Sequence, residues 1–517
     1  MIPRSRRGML WRFLAAAIVI VGATAATTAV AGLLQFKQLA VDLSVTPALP
    51  HANVTLPSPG APQTLLIVGS DHRAGEPYSA ANTDTMMLVR LNPASSTVNV
   101  LSIPRDLEVQ IPGYGTAKIN AAYSDGGPNL MIQTIKDNVF PALKVNHILD
   151  VNFAGFSDLV DAIGCVYSAV DHRYYNNTAL TDFSSIDIQP GYQKLCGDNQ
   201  SVSGALAFVR FRHTDTDIVR NARQQDFIRW AKDQYSTTQL LDNRDRLLRI
   251  FGSHVQTDRD LHSIDGLINL FNLVLNMSGH TIKSVPFPAQ LQPCVAAAAG
   301  QAAAPCYVTA ESSQEAVAFT QFMKPTTAVA AAAKTHPAVK VKGHKHGGGP
   351  VTAPGLIPDV PDGRQQASEL SRVAMPVYYP KLIVSGATYC SAITGNCDDG
   401  QEPASEYEHS YPRAYTIHDR QGAPHAAYYM TVAINQVQGQ YYGVQGTTWL
   451  NPPLLASPSQ TKVVDGKKLE LFAAGGKLTT VAWRTPTAVY WIDNTLTNTI
   501  GNQQMVALAA SLTRATG

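Results

Sequence analysis

The chain has 517 residues, 40 lysines and arginines against 38 aspartates and glutamates, and a formal net charge of +2. That length accommodates two or three cores of roughly 100–200 residues each. So even a charge balance excludes nucleic acid or an anionic membrane surface as the electrostatic target of the chain as a whole.

The first elements concern export. Arg4, Arg6, Arg7 and Arg12 form a basic tail, residues 1–12, ahead of an uncharged and mostly apolar run from Phe13 to Leu34. A helix of that length spans a hydrocarbon core of ~30 Å, and its positive flank stays in the cytoplasm, so residues 13–34 are expected to be a single-pass membrane anchor with the bulk of the chain outside. Ala29–Ala31 also fits the cleavage site of a signal peptide, and either reading exports the rest. Residues 35–63 read as a stem. Six cysteines fall as three pairs of sequence neighbours, Cys165/Cys196, Cys294/Cys306 and Cys390/Cys397, without the CxxC spacing of a zinc site. Disulfides are expected, with nearest-neighbour pairing preferred.

Residues 64–323 show regular apolar patterns with short polar breaks, the mark of a mixed α/β domain. "TLLIVGSD" reads as a buried strand emptying into a loop at Asp71. "TDTMMLVRL" and "TVNVLSIPRD" read as a hairpin about "NPASS", with Leu91 facing Thr97 and Asp84 opposite Pro104 and beside Arg105. Twelve residues separate Asp71 from Asp84, so neighbouring strands would bring both carboxylates to one rim. Such a pair repels unless a cation lies between, and Mg²⁺ or Mn²⁺ is the natural candidate; the alternative is that both are turn residues.

In "ALAFVRFR" strand alternation would aim Phe208, Arg210 and Arg212 to one face. From Asp217 a helix is expected, with Arg220, Arg223, Gln224 and Phe227 at i, i+3, i+4 and i+7. If the two faces meet, four guanidiniums converge, partly offset by Asp215 and Asp217, and the surplus calls for a multivalent anion such as a pyrophosphate. The alternative is a solvated basic face. "PNLMIQTIKDNVF" and "FAGFSDLVDAIG" are amphipathic and could line an apolar groove or simply pack in the core. GxSxG, GxxxxGK[ST] and HExxH are all missing from the sequence, so serine hydrolase, P-loop and zincin chemistry have nothing to rest on.

Residues 324–374, Ala, Gly, Pro and Lys with few large apolar residues, read as a linker. Residues 375–517 alternate apolar and polar between turn signals and end in "NQQMVALAASL". That pattern predicts an α+β domain, an antiparallel sheet with a closing helix, whose role would be to hold glycan, lipid or another envelope protein.

The blocks "LLIVGSDHR", "TDTMMLVRLNP", "VNVLSIPRDLEVQIPGYGTAKINAAYSDGGP", "VNFAGFSDLVDAIGCV" and "GALAFVRFRHTDTDIVRNARQQDFI" resemble the LytR-CpsA-Psr family in order and spacing. The resemblance implies a mixed-sheet αβα catalytic domain in a bacterial membrane-anchored, extracytoplasmic phosphotransferase. Its members take a glycopolymer from a polyprenyl-pyrophosphate carrier and join it by a phosphodiester to peptidoglycan, with Mg²⁺ on the pyrophosphate. By the same resemblance Asp71 and Asp84 match the metal-site aspartates. Arg105, Arg210, Arg212, Arg220 and Arg223 match the catalytic, pyrophosphate-binding arginines, and Arg73, Lys118, Asn120, Asp217 and Gln224 are further substrate-side residues. Asn82 stands where the family commonly has arginine, which leaves open a second reading, a non-catalytic envelope protein that binds pyrophosphate-linked lipids.

Overall fold

The computed structural model of the chain describes residues 48–49, 52–58, 60–71, 78–80, 83–95, 97–176, 185–197, 202–211, 215–292, 307–326, 352–391, 396–397 and 410–515. The expected tail and anchor, Arg73, Asn82, Arg212, Cys294, Cys306 and residues 327–351 of the linker lie outside the described residues. Among the described residues no helix is long and apolar enough to cross a membrane.

A six-stranded mixed sheet organises the first domain. Its strands are β1 (Gln63–Ser70), β2 (Thr83–Leu91), β3 (Thr97–Ser102), β4 (His147–Val151), β7 (Val255–Thr257) and β8 (Thr281–Ser284), in the order β7-β4-β1-β2-β3-β8. The β1–β2–β3 part is antiparallel, while β4 runs parallel to β1 and β8 parallel to β3. Strand alternation sends Leu66, Val68, Met86, Leu88, Leu101 and Ile148 to one face, where they pack on Met131, Ile132 and Ile135 of helix α1 (Ala121–Asn138). The other face carries Leu65, Leu91 and Leu149 against Leu261 and Leu270. A sheet covered on both sides needs the unbroken apolar run seen in β1.

The β2–β3 hairpin is shifted by one residue from the sequence-based register. Arg90 faces Asn99 and Met87 faces Ser102, so Leu91 does not oppose Thr97 and the ladder, continued, sets Asp84 across from Arg105 itself. Leu49, Ala52 and Val54, counted with the stem, pack against the first domain's core.

Beside the sheet lie α2 (Phe153–Ala162), the hairpin of β5 (Val166–Val170) with β6 (Gly191–Leu195), α3 (Ala205–Arg210) and α4 (Asp217–Gln234). The α3 segment corrects the strand expected for "ALAFVRFR". All five residues from Ala205 to Val209 are buried. A short segment buried all round has no polar face by which alternation could be recognised, and alanine and leucine favour the helix. Disulfides join Cys165 to Cys196 and Cys390 to Cys397, as nearest-neighbour pairing predicts.

The second domain centres on an eight-stranded sheet that includes β10 (Arg413–His418), β11 (Pro424–Asn435), β12 (Gln440–Thr447) and β16 (Val489–Asp493). The numbers between belong to strands β13–β15, residues 460–484, and β9 is Thr388–Tyr389. Tyr428, Met430, Val432, Tyr442 and Val444 face Met505 and Leu508 of helix α6 (Asn502–Ala510). Helix α5 (Val360–Glu369), inside the segment read as linker, contributes Ala367 to the same core. The chain closes on a strand, Leu512–Arg514, rather than on the helix.

The opposite face of this sheet is also covered, by the first domain. Tyr167 of β5 and Tyr192 of β6 share a cluster with Ile417, Trp449, Phe472 and Trp491. Hydrogen bonds cross the contact: the Tyr192 amide donates to the Tyr415 hydroxyl at 2.9 Å, the Tyr167 hydroxyl to the His418 carbonyl at 2.9 Å, and the Arg173 amide to the Tyr411 hydroxyl at 2.6 Å.

Candidate anion-binding site at the β1–β2–β3 rim

The ends of β1, β2 and β3 meet the N-terminus of α4 and the C-terminus of α3. Asp84, at the start of β2, is the centre. Arg105, just beyond β3, forms an ion pair with it through Nη1. Nη1 of Arg220 lies 3.9 Å and Nε of Arg210 4.0 Å from the Asp84 carboxylate oxygens. Three guanidiniums thus surround one carboxylate, from a strand end and two different helices.

Asp217 holds this arrangement in place. Its carboxylate accepts from the Arg105 amide at 2.8 Å and meets Nη2 of Arg220 at 2.5 Å. Thr216 caps α4 by accepting from the Val219 amide, which places Asp217 in the first turn, where a negative charge is favoured. Burial raises the Asp217 pKa against the opposing pull of Arg220. Burial lowers that of Arg220, opposed first by Asp217, while Arg105 adds its like charge. Arg220 is 1% exposed, and among the described residues its Nε and that of Arg105 are buried without a hydrogen-bond partner. A buried guanidinium donor without a protein hydrogen-bond partner is open to an ordered water or to an anion.

The other expected residues divide. Lys118 reaches Asp106 at 2.8 Å, and the Asn120 amide donates to the Arg105 carbonyl at 3.2 Å, so both secure the strand end that carries Arg105. Gln224 donates to Thr85 at 2.9 Å and to the Val209 carbonyl at 3.1 Å, tying α4 to β2 and α3. Asp71 is exposed and follows Ser70, which pairs with Thr83, so both aspartates stand at one rim. The floor beneath is a buried carboxylate that the sequence reading missed: Asp150 of β4 accepts from Ser70 at 2.6 Å and from the Tyr123 hydroxyl. Nothing in its apolar surroundings, "HILDV", signals that role.

Arg223 does not join the convergence expected of it. It is fully buried, donates to the carbonyls of Phe208 at 3.0 Å and Phe211 at 3.1 Å, pairs with Asp215, and lies 4.4 Å from the centre of the Tyr174 ring. Arg220 and Arg223 are one helical turn apart, yet the first faces the rim and the second ties down the chain around Arg210. Helix α4 is buried on most of its surface, so i, i+3 spacing alone does not say which neighbour each arginine meets.

Fold and site together define an αβα domain with an arginine–aspartate cluster at the rim of its sheet. The profile of the LytR_cpsA_psr family matches residues 34–318, more than half of the chain, and the protein belongs to that family. It is 31% identical over 237 residues to the polyisoprenyl-teichoic acid–peptidoglycan teichoic acid transferase TagU of Oceanobacillus iheyensis, covering 43% of this chain and 69% of the relative. It is 33% identical over 198 residues to the probable cell wall biosynthesis protein LcpB of Corynebacterium glutamicum, covering 36% of this chain and 43% of the relative. Among solved structures, TagT bound to LIIa-WTA aligns at 21% identity with a TM-score of 0.39, over 53% of this chain and 97% of that one.

Proposed function

We propose that the protein transfers a glycopolymer from a polyprenyl-pyrophosphate carrier to peptidoglycan, forming a phosphodiester. The observation that carries this reading is the Asp84 cluster: Arg105, Arg210 and Arg220 against Asp84 and Asp217, with two buried Nε groups still to be satisfied. Relatives named as teichoic acid transferases support the reaction class.

In the reaction a peptidoglycan sugar hydroxyl attacks the phosphorus bearing the glycan. The bond from that phosphorus to the bridging oxygen breaks, and polyprenyl phosphate leaves with the electron pair. The hydroxyl proton passes to a site carboxylate. Arg105, Arg210 and Arg220 face the charge that develops on the pyrophosphate oxygens, and because other contacts already hold them they need not reorganise as it forms. Asp217 fixes Arg220 and the Arg105 backbone. Two hard carboxylates at one rim, Asp71 and Asp84, fit the few-carboxylate, phosphate-completed site that Mg²⁺ or Mn²⁺ takes. Such an ion, when bound, would neutralise pyrophosphate charge.

The Arg-flanked apolar run of residues 13–34 and the two disulfides support a single-pass membrane protein with its bulk outside the cytoplasm. The test is transfer of a radiolabelled, lipid-pyrophosphate-linked glycan to purified peptidoglycan by the full chain. Label that becomes wall-bound and is released by phosphodiester cleavage is the expected outcome. Tight lipid binding with no wall-bound label would instead favour the lipid-binding envelope protein.

A further inference from the structure

The contact between the two domains reaches the arginine site through a short chain of touching groups. The turn between β11 and β12 ends at Gly439, whose φ is +60°, and a Cβ there would lie 3.0 Å from Oδ1 of Asp215 and 3.1 Å from Val219 in the first turn of α4. Two residues on, the Tyr441 ring stacks on His172 with centroids 4.1 Å apart and planes at 19°. His172 sits between two carboxylates, Nδ1 at 3.2 Å from Asp171 and Nε2 at 3.9 Å from Asp215. The Tyr429 and Thr431 hydroxyls of β11 donate to the Asp171 carbonyl at 3.3 and 3.2 Å.

Asp215 in turn pairs with Arg223, and Arg223 holds the carbonyls of Phe208 and Phe211. Those two residues flank Arg210, one of the three guanidiniums at Asp84. The Tyr441 side chain of the second domain is therefore linked to the backbone beside a pyrophosphate-facing arginine by four contacts, through His172, Asp215 and Arg223, each between buried groups.

We infer that the second domain is a positioning element of the transfer site, with Tyr441 and Gly439 bracing the His172–Asp215–Arg223 clamp that sets the backbone around Arg210. This rests on the reading of the Asp84 cluster as a pyrophosphate site. A rigid clamp matters because displacement of a charged group by about 1 Å can cost on the order of 100-fold in transition-state stabilisation. Removing the Tyr441 ring opens one side of the clamp to water and lets Asp215 and Arg223 move. The phenylalanine variant keeps the stack.

The experiment uses the full chain and measures the affinity for geranylgeranyl pyrophosphate, together with hydrogen exchange across residues 205–217. Tyr441→Ala is expected to weaken binding roughly tenfold and to speed exchange in that segment, with Tyr441→Phe restoring both to wild-type values. Trp449→Ala, which loosens the same domain contact at Tyr167 and Tyr192, is expected to leave binding within about twofold. If Tyr441→Ala does not fold by circular dichroism, Gly439→Ala presses on Asp215 from the same turn and is expected to act likewise. Unchanged binding and exchange in a folded Tyr441→Ala or Gly439→Ala protein overturns the inference. A binding loss in Trp449→Ala equal to that in Tyr441→Ala also overturns it, since general loosening then explains both. A wild-type protein that binds no pyrophosphate lipid defeats the reading of the Asp84 site instead, and exchange alone then decides the clamp.

Discussion

Two arginine–aspartate clusters are built on helix α4, and they have opposite charge balances. Around Asp84, three guanidiniums (Arg105, Arg210, Arg220) face the two carboxylates in contact with them (Asp84, Asp217), a net of +1, while Lys118 and Asp106 cancel and the exposed Asp71 stands at the outer edge of the same rim. Around Asp215, one guanidinium (Arg223) faces two carboxylates (Asp171, Asp215), 1 − 2 = −1, with an imidazole between them. The first has donors left over at a rim. The second is enclosed by the rings of Tyr174 and Tyr441 and uses its charges internally. Buried arginine is common to both, and so is a buried Nε without a hydrogen-bond partner, at Arg105 and Arg220 in the first and at Arg223 in the second, so neither identifies a ligand site; the surplus of positive charge at a partly exposed rim does.

The comparison breaks most visibly if the two clusters respond alike to losing an arginine. Arg223→Ala leaves Asp215 buried and uncompensated and is expected to destabilise the fold by about 3–5 kcal/mol in denaturant unfolding. Arg210→Ala, at a partly exposed site, is expected to leave the unfolding midpoint close to wild type and to lower turnover by about 10²–10³-fold. Equal stability losses in the two variants would abolish the distinction.

A buried carboxylate of the second domain sharpens it. Asp493 accepts from Thr480, Trp491 and Gln445, all neutral donors, and burial raises its pKa from 3.8 to about 7. Its folded form binds the proton more tightly than its unfolded form. Stability is therefore full below about pH 4 and declines as the pH rises to about 7, where the ionised group costs roughly 2–4 kcal/mol. Asp493→Asn is expected to recover most of that cost above pH ~7 and to change little at low pH.

His172 is the smallest of these effects and has a distinct sign. Burial opposes its charge, but Asp171, followed by Asp215, outweighs burial and raises its pKa above 6.5. Protonation also brings its cluster to zero net charge. The stability it contributes is complete below about pH 6.5 and lost as the pH rises through the folded-state value. In His172→Gln the unfolding free energy is expected to lose that part of its pH slope.

Much of the rim was legible in the sequence. A strand ending at Asp71, a loop, Asp84, and the strand end at Arg105 require only two adjacent strands, and the one-residue slip of the hairpin moved Arg105 closer to Asp84 rather than away. Asp217 likewise falls beside Arg220 and Arg105, whereas Lys118 pairs with Asp106 and Gln224 with Thr85 and the Val209 carbonyl, none of them among the expected site residues. What stayed hidden has physical causes. Helix α3 is buried all round, so Phe208 and Arg210 imitate strand alternation. Arg223 carries the same spacing signal as Arg220, and only the third dimension turns it toward Phe208 and Phe211. Tyr429, Tyr441 and Trp491 read as the core of their own sheet, because an aromatic side chain that covers a neighbouring domain has the same pattern as one that covers a helix.

The most direct test of the central claim is single-turnover release of polyprenyl phosphate from a polyprenyl-pyrophosphate-linked glycan by the full chain, with Mg²⁺ and peptidoglycan, beside Asp84→Ala. Release by the wild type, lost in a folded Asp84→Ala protein, is the predicted result. Release at the same rate in both proteins, or a wild type that holds the lipid and releases nothing, would contradict the account of the Asp84 cluster as the transfer site.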